Sequence, residues 1–130
     1  MNYSKVADFY KHQDSEAIVE SDDPHAIVVL MYDELLKSMR VFVNQLKSKT
    51  PDKSRQNESF SKSLTIIYAL QSSLNFETGG EIAENLFRLY EFARLQILES
   101  SRLSVYENTE KAIDALEEIR DAWRQIGGQA

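Results

Sequence analysis

The sequence predicts an all-α protein, an antiparallel up-down four-helix bundle with a short N-terminal helical segment. Three observations predict it. Apolar residues recur at i, i+3, i+4 and i+7 in four separate stretches, the spacing of helices with one buried face. Only four Gly and two Pro punctuate the 130 residues, too few turns for an all-β chain. The four stretches would form rods of roughly 27–37 Å at 1.5 Å per residue, and short links between similar rods favour antiparallel neighbours.

Residues 2–12 are expected to form a short amphipathic segment with Tyr3, Val6, Phe9 and Tyr10 on one side. It is too short to hold a helix alone in water, so it must dock or fray. Residues 13–22 read as a polar linker with one apolar anchor, Ala17-Ile18-Val19. The chain thus divides into an N-terminal segment and linker, 1–22, and a bundle, 23–130.

Asp22-Asp23-Pro24 opens the first helix, with Asp23 as cap and Pro24 at the first helical position, where a missing N–H costs nothing. The helix is expected over 24–48 and ends at Thr50-Pro51, because the residue before proline disfavours helical backbone. Residues 49–58 read as a polar loop. The second helix is expected over 58–75, with Phe60, Leu64, Ile67, Leu70 and Leu74 on one face. A turn over 76–80 closes on Gly79-Gly80. The third helix follows over 81–103, with apolar residues at 82, 86, 89, 90, 93 and 97. A weak break at Ser104-Val105 precedes the fourth helix, 107–126, with Ala112, Leu116, Ile119, Trp123 and Ile126 on one face and Gly127-Gly128 as its stop. Leu86, Leu89, Tyr90 and Trp123 are expected in the core.

Two faces carry more apolar surface than a bundle needs. On the first helix, residues from Val28 to Leu46 cover an arc of roughly 160° at helical spacing. That arc suits either a central helix touching both neighbours or a groove for another helix. On the third helix, Phe92 and Leu95 lie on the side otherwise filled by Glu84, Arg88, Glu91 and Glu99.

Several function classes are disfavoured. The net charge of −6 repels nucleic acid and anionic membranes. The longest apolar run, Ala26 to Tyr32, is far short of the roughly 20 residues of a spanning helix, so no membrane insertion is expected. No cysteine exists, which excludes disulfides and thiolate chemistry. Only His12 and His25 are present, and Asp22-x-x-His25 has no second copy, so a di-iron bundle pattern is missing. No phosphate loop or Ser–His–acid set is recognisable. Neither metal, cofactor nor enzyme activity is expected. Glu107, Glu110, Asp114, Glu117, Glu118 and Asp121 read as a solvated outer face of the fourth helix.

The chain resembles the FliS family of flagellar export chaperones in the order and spacing of several motifs. Tyr10 is followed by Asp23-Pro24-His25-Ala26-Ile27 and the run Val28 to Asp33. The most specific stretch is Gly79-Gly80-Glu81-Ile82-Ala83-Glu84-Asn85-Leu86, with Leu89-Tyr90 after it and Ala122-Trp123 near the end. Glu34 stands where the family usually has Gly, and Ser100-Ser101 where it has Ala-Asn.

The resemblance implies a cytoplasmic chaperone that holds the disordered C-terminal segment of flagellin, prevents early polymerisation and delivers it to the type III export gate. Its components are implied as further partners. It also implies an N-terminal tyrosine segment that folds over part of the client surface. The expected client contacts are Tyr10, Ile18, Ile27, Leu30, Met31, Leu36, Phe92 and Leu95, on a monomer or weak dimer. Tyr10 and Ile27 come from the motif match; Leu36, Phe92 and Leu95 come from the helical wheels. Alternatives are a self-associating helical adaptor, or a divergent chaperone with another client.

Overall fold

The computed structural model describes residues 24–129, with side chains described for 24–126. It contains four helices: α1 Pro24–Lys47, α2 Lys53–Ser72, α3 Phe76–Leu103 and α4 Glu107–Gln129. Each packs on its two neighbours in the ring α1, α2, α3, α4. The all-α bundle expected from periodicity is the fold of the described residues. The N-terminal segment and the proposed Asp23 cap lie outside them.

The boundaries differ from the expected ones where a polar cap acts earlier than the apolar pattern. α2 begins at Lys53, not near 58, because the Asp52 carboxylate accepts a hydrogen bond from the Arg55 N–H at 3.1 Å. The Asp52 N–H in turn donates to Gln45 Oε1 at 2.8 Å, which fixes the α1–α2 connection. α3 begins at Phe76, because Asn75 Oδ1 accepts from the N–H groups of Glu77 and Thr78 at 3.0 and 3.2 Å. The expected turn over 76–80 is therefore one helical turn followed by a kink. Gly80 makes that kink with φ 52° and ψ −127°, open to a residue without Cβ. Gly79 stands against Ala83, where an added Cβ would come within 2.8 Å of the alanine methyl. At its far end, α3 stops on Ser104 in left-handed backbone, its N–H bonded to the Ser100 carbonyl at 2.8 Å. α4 runs through Gly127-Gly128 to Gln129, so these glycines are no stop; glycine permits a left-handed exit without imposing one.

The broad arc of α1 is filled by the bundle itself. Ile27, Met31, Tyr32, Leu35, Leu36, Met39, Phe42 and Val43 are buried. α2 and α4 flank α1 on two sides and give it Ile66, Ile67 and Leu70, and Ala112, Ile113 and Leu116. Across the diagonal, α3 gives Tyr90, Ala93 and Ile97. Leu86, Leu89 and Trp123 pack half-buried against this cluster. Ile82 and Ile126, expected on buried stripes, are exposed: each sits near the end of the bundle where α3 begins and α4 finishes.

Charge sets the register between α1 and α4. Asp33 pairs with Arg124 at 2.9 Å, Arg40 with Glu117, and Lys47 with Glu110 at 2.6 Å. The partners step by seven residues in opposite directions along the two helices, as antiparallel rods with a left-handed supercoil require. Glu110 and Glu117 thus reach toward α1 while remaining partly exposed to solvent. Lys62 pairs with Glu34 at 2.9 Å and ties α2 to α1. Each exposed pair contributes about 0–1 kcal/mol, so the set specifies alignment more than stability. At the α3–α4 connection, the buried Ser100 and Thr109 hydroxyls share a 2.6 Å hydrogen bond.

One polar contact crosses the diagonal: the hydroxyls of Tyr32 and Tyr90 bond inside the core. Burial pushes Tyr32 up to about 12 and Tyr90 well above its ordinary value. Both raised values favour the neutral form in the folded chain. The stabilisation is complete below the unfolded value of 10 and is lost as pH rises through about 12.

Two outcomes are expected. Urea unfolding across pH 10–12 will show stability falling with pH, and the double change Tyr32→Phe with Tyr90→Phe, which leaves neither hydroxyl orphaned, will flatten that fall; an unaltered slope would assign it to other groups. Gly80→Ala will destabilise by about 1–2 kcal/mol, because its backbone conformation penalises a Cβ although space is free; unchanged urea stability would show that the kink relaxes.

Candidate functional site

α3 leaves more large apolar side chains in solvent than its three partners together. Among the described residues, Phe76, Ile82, Phe87, Phe92, Leu95, Leu98 and Leu103 of α3 are exposed, against Tyr68 and Ile126 on the other helices and Val105 in a connection. Scattered apolar residues need no explanation, but a concentration on one helix marks a contact surface. Phe76 and Phe87 meet edge-to-face across the Gly80 kink, ring centroids 6.0 Å apart.

Between Phe87 and Leu98 on the same flank lies a polar clamp. Arg94 Nε donates to Glu91 Oε1 at 2.8 Å and Arg94 Nη2 to Oε2 at 2.5 Å, while Gln71 of α2 donates to Oε1 at 3.1 Å. The guanidinium and then the amide pull the Glu91 carboxyl down to about 2. The clamp fixes α3 against α2 and holds the apolar flank at a set angle.

At the end of the bundle where α1 and α3 begin and α2 and α4 finish, the four helices leave a cleft of about 180 Å³. Val28, Leu70, Leu74, Ala83 and Leu86 form its walls, with Tyr90 and Trp123 among its lining. No charged residue lines it. It exists because Gly79 and Ala83 are small and because Gly80 turns the first turn of α3 aside. Trp123 is held from α1: His25 Nε2–H donates to its carbonyl, and the imidazole packs edge-on to the indole at 5.3 Å. The buried Trp123 indole N–H completes no hydrogen bond. It lies close enough to the Tyr32 hydroxyl to oppose part of the rise that burial causes there.

The residues expected at a client surface fall in three places. Phe92 and Leu95 are exposed, 39% and 48%, on α3. Leu30 is half-buried on α1. Ile27, Met31 and Leu36 lie in the core, because α1 has neighbours on two sides and a third across the diagonal. Tyr10 and Ile18 lie outside the described residues. The helical wheels did not single out Phe76, Phe87 and Leu98, nor the cleft. Gly79-Gly80 was the available signal for the cleft, since two small residues before a helix mark close approach or a bend as readily as a turn.

Among the described residues, no helix is long and apolar enough to cross a membrane, and no cluster of acidic and histidine side chains has a metal-holding arrangement.

Comparison with known proteins gives this architecture its relatives. Residues 6–130 match the family model described as flagellar protein FliS. The flagellar secretion chaperone FliS of Salmonella typhimurium is 30% identical over 125 residues, covering 93% of this chain and 89% of the relative. FliS of Vibrio cholerae is 31% identical over 118 residues, covering 90% and 85%. The flagellar secretion chaperone FliSB of Pseudomonas aeruginosa is 26% identical over 118 residues, covering 90% and 91%. A match over nearly the whole length, on a four-helix bundle with its glycine pair at the base of α3, places this chain in the FliS family.

Proposed function

We propose that this chain is a non-enzymatic, cytoplasmic export chaperone for flagellin. It holds the disordered C-terminal segment of the client, prevents its early polymerisation and presents it to the flagellar type III export apparatus. Membership of the FliS family supports the class of protein, and the relatives named as flagellar secretion chaperones support the export role. The observation that carries the reading at residue level is the exposed apolar side of α3.

The physics of such binding matches this surface. A disordered segment that folds on a partner loses chain entropy as it does so, and recovers it by covering a long track of modest contacts. α3 offers a track from Phe76 to Leu103, about 40 Å at 1.5 Å per residue, in place of one deep pocket. Phe92 and Leu95 are the bets for its middle, and Leu30 for its continuation on α1. Tyr10 and Ile18 are proposed contacts from the N-terminal segment. Ile27, Met31 and Leu36 are proposed to act from beneath, by shaping the α1 surface that carries Leu30. The same exposed side could instead close on a second copy of the chain, so mass decides between the two.

The purified chain will form a 1:1 complex with a C-terminal flagellin segment from the same organism, seen as a single mass by light scattering. Phe92→Glu combined with Leu95→Glu will weaken it about 10–100-fold, from about 1.4 kcal/mol for each tenfold step, with helix content unchanged by circular dichroism. A folded wild-type chain that ignores the segment defeats the client assignment. A concentration-dependent dimer abolished by the same pair would favour self-association.

A further inference from the structure

We infer that the groove between α1 and α2 docks an acidic peptide segment of a partner protein, two of whose carboxylates meet Lys37, Arg55 and the Ser38 hydroxyl. No residue lining this groove belongs to α3, so the surface is separate from the apolar track and goes beyond the chaperone reading above.

The groove measures about 370 Å³. Lys37, Ser38 and Val41 of α1 line one side, and Arg55, Glu58 and Lys62 of α2 the other. The whole chain stands at −6, yet residues 24–75 hold seven Lys and Arg against four Asp and Glu, while 76–129 hold six against eleven. The groove therefore lies on the positive side of a negative molecule, which steers acidic partners toward it. Three cations of this half are already matched: Arg40 with Glu117, Lys47 with Glu110 and Lys62 with Glu34. Lys37 and Arg55 make no ion pair among the described residues. Glu58 is the one carboxylate in the lining, so the three cations there keep a surplus of positive charge.

Ser38 points to a ligand independently. It is 5% exposed, yet its hydroxyl makes no hydrogen bond among the described residues. The hydroxyls of Ser59, Ser63, Thr65 and Ser73 all donate to a carbonyl three or four residues back. Trp123 Nε1 is the one side-chain polar atom among the described residues sealed away without a partner, so the Ser38 oxygen opens onto the groove that it lines. A nearly buried hydroxyl beside two unmatched cations is a donor set for a carboxylate.

Length selects a short peptide. Arg55 to Lys62 is about 10 Å of helix at 1.5 Å per residue. Three residues of extended chain at about 3.3 Å each span it, and alternate side chains present two carboxylates to one face. Nucleic acid and anionic membrane fit less well, because their long arrays of phosphate would also meet the acidic α3–α4 half.

The test titrates the full chain into a dye-labelled peptide of alternating Glu and Ser, read by fluorescence anisotropy. The peptide will bind, less tightly as salt rises, and its Gln-Ser counterpart will not. Lys37→Ala with Arg55→Ala, both exposed, will weaken binding about tenfold or more. Arg102→Ala with Lys111→Ala removes the same charge from α3 and α4 and will leave binding unchanged. Ser38→Ala will weaken it about threefold while the melting temperature stays level or rises, since the lost hydroxyl had no partner in the fold. Absence of binding, or equal loss in the two double variants, overturns the docking site. The change of Asp14, Glu16 and Glu20 to their amides will leave affinity as it is; a rise would hand the groove to the chain's own acidic linker and overturn the assignment to a partner.

Discussion

The constraint on which this bundle depends is that α1 is apolar around too much of its circumference to be satisfied by one neighbour. Eight of its large side chains need cover at once. Two flanking helices and a third across the diagonal supply it, and that requirement forces the square arrangement. Truncating one of the central residues, such as Leu35 or Phe42, would remove roughly 2–5 kcal/mol, comparable with the whole stability of a domain this size. The helix with the most hydrophobic sequence therefore contributes least to the outer surface.

That allocation leaves α3 as the outward-looking helix. It packs on α2 and α4 along one side and keeps the other in water. The alignment of the remaining helices is specified by polar contacts at the margins: the charge pairs between α1 and α4, the Glu91 clamp to Gln71, and the Ser100–Thr109 hydroxyl pair. One of these, and one further pair between α1 and α2, involve positions read above as departures from the pattern the chain resembles. Glu34 forms the pair with Lys62, and Ser100 forms the buried bond with Thr109. Both departures are accommodated as contacts between helices, away from the cleft.

Among the described residues, the number of helices, most of their buried faces and their antiparallel order were legible in the sequence, because helical periodicity is a local property. Three things were not. Caps at Asp52 and Asn75 start α2 and α3 before the apolar pattern does, and a hydrogen bond from a short polar side chain leaves little trace in hydrophobicity. The role of α1's broad face depended on how many neighbours it finds, which is tertiary information; a wheel cannot distinguish a groove from a central helix. Ile82 repeats the spacing of buried residues and is 71% exposed, because periodicity reports direction and not whether anything stands there. The candidate surface was half visible: Phe92 and Leu95 broke a polar face, while the cleft arises from the meeting of four chain ends and has no sequence pattern of its own.

The two ends of the barrel of helices are built differently. One is stitched by Lys47 with Glu110 and Tyr106, by Gln45 with Asp52, and by Ser100 with Thr109. The other holds a hollow and a backbone break at Gly80. Thermal breathing will be lopsided as a result: amide protons near the hollow will exchange with solvent sooner than those near the stitches. For a surface proposed to hold another chain and later let it go, the hold is then best begun where the holder itself loosens first.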